Sequence, residues 1–175
     1  MFADPTIEAI RQRLLLAEPV AMAKHNSSAP VEDKAREREV VFAAIRLGVK
    51  KGVDPEVVLK VFTAQIEASK IAQRHFLASW PVGTSFANTP NLARDIRPKL
   101  DALTPVILDG LRRKRYWSES ELRFRLAPEY WEAWQVATRP LRSRPWKEVT
   151  PQASRSQVPI PKGPCTLNTL GVLRD

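Results

Sequence analysis

A chain of 175 residues with 43% hydrophobic residues has the length for one buried core, alone or with a tail, and excludes a large multi-domain assembly. Its single cysteine, Cys165, excludes an intramolecular disulfide, and no apolar run approaches the roughly 18 residues of a membrane span. The net charge of +9 is uneven: residues 1–110 hold 15 Lys and Arg against 13 Asp and Glu, whereas 111–175 hold 13 against 6. Basicity therefore belongs to the end of the chain and not to its body.

The opening residues, MFADPTIEAIRQR, lack a basic segment followed by an apolar one, so no leader is expected in the sequence as written. That fits either a cytoplasmic protein or a mature form. A first helix is expected from Asp4 as cap and Pro5 at the first helical position, with Ile7, Ile10, Leu14, Leu15, Val20 and Met22 at helical spacing. Pro19 predicts a kink or a break within it. After the polar turn Asn26-Ser27-Ser28, a second helix is expected from near Pro30, ending at Gly52. Asp54-Pro55 caps a third, which carries Val57, Val58, Val61, Phe62, Ile66 and Ile71 towards Trp80.

Residues 81–91 read as a loop. A fourth helix is expected from about Leu92, with Pro98 near its start and a second kink at Pro105. Beyond Arg112-Arg113-Lys114-Arg115 the character changes. Ser118 to Glu121 resembles a capping box ahead of short helical pieces reaching about Ala137. From 140 onward prolines dominate, and an extended or disordered tail is expected. Strand signals are nearly absent, so the fold class is all-α, divided into a helical domain over 1–115, a short helical extension over 116–139 and a proline-rich tail over 140–175.

Polar residues embedded in the helices carry the functional signal. Arg13 and Lys24 are 11 residues apart, three helical turns to within about 20°, which puts both on one side of a continuous helix with Cα atoms about 16 Å apart. Asp33, Arg36 and Glu37 form an i, i+3, i+4 cluster, Ser69 and Gln73 are i, i+4 neighbours, and Arg97 stands near the start of the fourth helix. Taken singly, each is the ordinary solvated face of an amphipathic helix. His25 and His75 lack metal-ligand spacing and are expected as solvated helix residues.

The stretches RLLLAEPVAMAK, PVEDKARE, GVDPEVVLKVFTAQIEASKIAQ and LARDIRPKLDALTPVIL together resemble the secreted subclass of the all-helical, AroQ-type chorismate mutases, over roughly residues 5–111. The resemblance implies a cofactor-free enzyme that rearranges chorismate to prephenate, working as a homodimer in the periplasm or outside the cell. Arg13 and Arg97 match the arginines that clamp the substrate's two carboxylates. Lys24 matches the cation that reaches a carboxylate and the breaking ether oxygen, and Gln73 the donor to that oxygen. Arg36 and Glu37 match second-helix site positions, Glu37 as acceptor for the ring hydroxyl. Ser69 matches a carboxylate contact, and Asp33 a supporting position. In the secreted subclass the second arginine comes from the same chain, at the place of Arg97.

The chemistry accounts for these residue types. A concerted rearrangement needs no nucleophile, metal or redox cofactor, so no cofactor is expected. It needs a dianion held in its reactive conformer and donors aimed at the oxygen that gains charge. Two features depart from the family pattern: relatives commonly carry a C-terminal disulfide, and beyond Arg112 the sequence ceases to resemble them. Two other readings rank lower. Pyruvate elimination from isochorismate shares this helical fold and much of the site. A basic nucleic-acid-binding protein is hinted at by RRKRYW and by Trp117, Trp131, Trp134 and Trp146, but lacks a recognition motif.

Overall fold

The computed structural model describes residues 4–123 and 126–142. Asp4 caps α1 (Pro5–Leu15), its carboxylate accepting the Thr6 N–H at 2.8 Å. The helix breaks at Leu16 and restarts as α2 (Ala17–Asn26). Pro19 explains the position. It has no N–H to donate, and its ring meets the carbonyl four residues back, that of Leu15, so the break falls three residues before the proline. The Val20 N–H then restarts the ladder on the Leu16 carbonyl at 3.1 Å.

Helix α3 (Lys34–Lys50) begins four residues later than Pro30. Asp33 is its cap: the Asp33 carboxylate accepts the Arg36 N–H at 3.0 Å, and Glu37 Oε1 accepts the Asp33 N–H at 3.3 Å. This reciprocal arrangement satisfies orphan donors that a start at Pro30 would leave without side-chain partners. At the other end, Gly52 takes a φ of +74°. The Val53 and Gly52 N–H groups return to Gly48 and Val49, at 2.9 and 3.0 Å, closing the helix in a Schellman turn.

Asp54 then caps α4 (Pro55–Ser79), the longest helix, which packs against α1, α2, α3 and α6. Helix α5 (Arg97–Arg113) lies against α1 at a close crossing. There Gly110 faces the fully buried Thr6, and a Cβ on Gly110 would stand 1.8 Å from Thr6 Oγ1. Pro98 sits in the first turn of α5, where its missing N–H costs nothing; Pro105 lies within the helix, which continues to Arg113.

Before α5, Leu92–Ile96 forms a π turn, with the Arg97 N–H reaching the Leu92 carbonyl. In an α-helix, residues five apart lie about 140° apart around the axis. An i→i+5 closure brings them back towards one side, and Leu92 and Arg97 face the same cavity.

The segment after Arg113 is part of the core. Ser118 and Glu121 do exchange hydrogen bonds, but they close a turn rather than start a helix. A 3-10 turn at Pro128–Tyr130 leads into α6 (Trp131–Thr138), which packs on α4. Trp117 and Trp134 are among the largest fully buried side chains. The Trp134 Nε1–H donates to the Leu122 carbonyl at 2.8 Å, and the Trp117 N–H to that of Leu141 at 2.7 Å. Two of the tryptophans that hinted at a nucleic-acid surface are thus core residues; Trp131 is exposed, and Trp146 lies outside the described residues, as does the tail from 143. No helix among the described residues is long and apolar enough to cross a membrane. An isolated bridge between Trp117 and Arg142 is the sole β-type pairing among them.

The extended or disordered tail expected from 140 onward needs correction at its edge, because Leu141 is wholly buried. A chain ending after Arg139 loses that side chain and the Trp117–Leu141 bond. It should be less stable than one ending after Ser143 by about 2–5 kcal/mol, read as a clear difference in urea midpoint. Equal midpoints would show that Leu141 contributes nothing.

Candidate active site between the helices

A cavity of about 190 Å³ opens between α1, α2, α3, α4 and the start of α5, large enough for one small ring and its substituents. Arg13, Lys24, Asp33, Arg36, Glu37, Ser69, Gln73 and Arg97 all line it. The break at Leu16 means that Arg13 and Lys24 do not share one straight helix as their spacing predicts, yet both still reach the cavity.

Arg13 is 9% exposed. Its Nη1 donates to the Leu100 carbonyl at 2.9 Å and to Thr104 Oγ1 at 3.3 Å, while its guanidinium carbon lies 5.3 Å from the centre of the Phe62 ring. The buried Nε has no protein partner. Burial pushes the guanidinium down to about 10, against the opposing pull of Asp101, so it stays cationic through the neutral range. A base with a lowered pKa holds its proton less tightly folded than unfolded. Charged Arg13 therefore costs stability at neutral pH, a cost that an anion in the cavity offsets.

Lys24, half-buried, donates to the Val31 carbonyl at 2.6 Å, which ties the segment before α3 to α2. Burial lowers its pKa, Asp33 and Glu37 oppose that shift, and Lys70 adds to it. Lys70 itself is pulled down by burial, but its bonds to Glu67 and Glu37, at 2.7 and 3.2 Å, outweigh this and leave it raised. On α4, Gln73 Nε2 donates to Ser69 Oγ at 3.0 Å, and Gln73 Oε1 is buried without a protein partner. Arg36 pairs with Glu39 at 3.0 Å.

Three polar lining residues escaped the sequence reading: Gln65, Lys70 and Asp101. A signal existed for the first, since Gln65, Ser69 and Gln73 recur every fourth residue on an otherwise apolar helix face. Lys70 looks like one of many surface lysines until Glu37 is seen beside it. His25, expected as solvated, instead holds the loop over 81–91: Nε2 lies 2.8 Å from the Thr84 carbonyl, and the ring meets Trp80 and Phe86 edge-on. Asn26 adds a donor to the Phe86 carbonyl at 2.8 Å.

The lining carries five cations (Arg13, Lys24, Arg36, Lys70, Arg97) and three carboxylates (Asp33, Glu37, Asp101). The difference, +2, complements a small dianion. Isophthalate, a ring with two carboxylates, should bind with nearly constant affinity from pH 6 to 8 in calorimetry at fixed ionic strength, because Arg13 keeps its charge across that span. A steep fall within the interval would mean that another titrating group controls the cavity.

Comparison with known proteins agrees with this geometry. Residues 5–74 match the model of the family described as chorismate mutase type II. The chain is 31% identical over 112 residues to the secreted chorismate mutase of Mycolicibacterium smegmatis, covering 63% of this chain and 61% of that one. Against the secreted chorismate mutase of Yersinia pestis it is 28% identical over 106 residues, covering 61% and 57%. It thus spans about three fifths of the length of the curated relatives it matches. The crystal structure of a chorismate mutase from Burkholderia phymatum superposes with a TM-score of 0.72 and 26% identity, over 81% of this chain and 96% of that one. A match of that extent reaches past Arg112, where the sequence motifs end, so the fold continues where the sequence resemblance stops. Residues 5–74 thus carry the pattern of the chorismate mutase type II family, and the helical body as a whole is similar to secreted and solved chorismate mutases.

Proposed function

We propose that the protein is a chorismate mutase that converts chorismate to prephenate in this cavity. The observation that carries the reading is the meeting of all eight motif residues around one ring-sized space with a charge of +2. Chorismate is a ring dianion. Arg13 and Arg97 would each take a carboxylate, and fixed guanidinium forks hold the extended side chain over the ring in the reactive conformer. Lys24 would stand at the ether oxygen with Gln73. The Gln73 amide has two N–H bonds, one spent on Ser69 Oγ, which leaves the other for the ligand. As the C–O bond lengthens, charge gathers on that oxygen. Donors fixed there act more strongly on the transition state than on the substrate, each worth on the order of 3 kcal/mol. Glu37, held by Lys70, would accept from the ring hydroxyl, with Arg36, Ser69 and Asp33 supporting the carboxylates and the helix start.

The subunit arrangement is part of the same proposal: a homodimer whose sites are each complete within one chain, since Arg13 and Arg97 of a single chain line one cavity. The relatives named as secreted support a setting outside the cytoplasm.

Purified protein should consume chorismate, followed by its absorbance, with no added cofactor; no turnover would sink the reading. Gln73→Glu tests the donor. The native amide does not titrate, so kcat at saturating chorismate should be nearly flat from about pH 5 to 8. A glutamate donates only when protonated, so the variant should be most active in acid and decline towards neutrality. A variant as flat as the native protein would remove Gln73 from this role. Mixing Arg13→Ala and Arg97→Ala proteins under subunit exchange should leave activity low; substantial recovery would show that the two arginines come from different chains.

A further inference from the structure

Gln65 presents an unusual state for a native side chain. It is 6% exposed, lines the cavity, and has both its Nε2 and its Oε1 buried without a protein partner. Buried amides are nearly always satisfied, and Gln73 on the same face is at least half so. Gln65 lies one turn beyond Phe62 on α4, and the Arg13 guanidinium rests over the Phe62 ring. Arg13 Nε is likewise buried and unpartnered. Two unused donors, one amide and one guanidinium, therefore sit at the same end of the cavity, together with an unused amide acceptor.

We propose that Gln65 is a ligand-binding residue, donating from Nε2 to the carboxylate that Arg13 holds. The naming of that ligand as chorismate rests on the function proposed above; the assignment of Gln65 to the carboxylate at the Arg13 end does not. The amide and the Arg13 Nε–H approach the group as two directed donors, so the site reads a planar carboxylate rather than a diffuse negative charge. Gln65, Ser69 and Gln73 then form a polar line along α4, with Gln65 at the end remote from the ether-oxygen donor.

Gln65→Leu and Gln65→Met keep the side-chain volume and remove both hydrogen-bonding atoms. Because the amide is unsatisfied in the free protein, each variant should melt at the native temperature or above it. Each should bind isophthalate about ten- to a hundredfold more weakly by calorimetry, and raise KM for chorismate by a similar factor with kcat changed less than about threefold. Higher stability with weaker binding is a signature that a packing residue would not give. Native affinity in either folded variant overturns the proposal. If the native protein fails to turn over chorismate yet loses isophthalate affinity on substitution, the functional reading falls and the role of Gln65 stands. A native protein that binds neither compound overturns both.

Discussion

A cation largely withdrawn from water governs this fold. The Arg13 guanidinium joins three helices: it belongs to α1, bonds the backbone and Thr104 of α5, and lies on the face of Phe62 in α4. Each contact is modest, with hydrogen bonds from a charged group worth about 1.5–3 kcal/mol and a ring contact about 0.5–2. Together they fix where the charge points. Removing a guanidinium from water costs several kcal/mol, and among the described residues none within hydrogen-bonding distance of Arg13 supplies a full negative charge. The fold holds that uncompensated charge in place, so the cavity is electrostatically incomplete by construction.

The other cations of the cavity differ in how far they are compensated. Lys70 is neutralised by two carboxylates and serves to fix Glu37. Arg36 spends part of its charge on Glu39. Lys24 bonds only a carbonyl, and burial weakens its hold on its proton. A dianion entering this space meets charges that were already oriented, and little reorganisation remains when charge shifts within the ligand. The three carboxylates keep the total from growing so large that the helices would repel one another.

Features set by neighbouring residues were legible in the sequence. Asp4-Pro5, Asp54-Pro55 and Gly52 act through bonds to adjacent backbone, and the helix ends they imply stand where expected. The break that Pro19 predicts falls at Leu16, because the proline ring acts on a carbonyl four residues earlier. An error arises where two local signals compete. Pro30 drew the start of α3 towards itself, while Asp33 and Glu37 held a stronger reciprocal cap. What remained hidden was tertiary. The basic run Arg112 to Arg115 masked the burial of Trp117, and nothing in Gln65 itself says that water is kept from its amide. Helical spacing groups the motif residues but only the family resemblance implies their roles, because cavity and solvent-facing arginines look alike on a helical wheel.

The π turn at Leu92–Ile96 divides neighbouring stretches of chain by how much change in length they tolerate. The loop before it can absorb an inserted residue between its anchor points at Phe86 and Asn91, since loop closure depends only weakly on length. Within the turn the arithmetic differs. Deleting one residue from 92–96 would return the backbone to α-helical phase while α5 stayed docked through Ile107, Leu108 and Leu111. Leu92 and Arg97 would then stand four residues apart, about 40° around the axis, and both would still face the cavity. Lineages descended from this chain should vary freely in length just before Asn91, and within the turn they should lose one residue far more readily than they gain one.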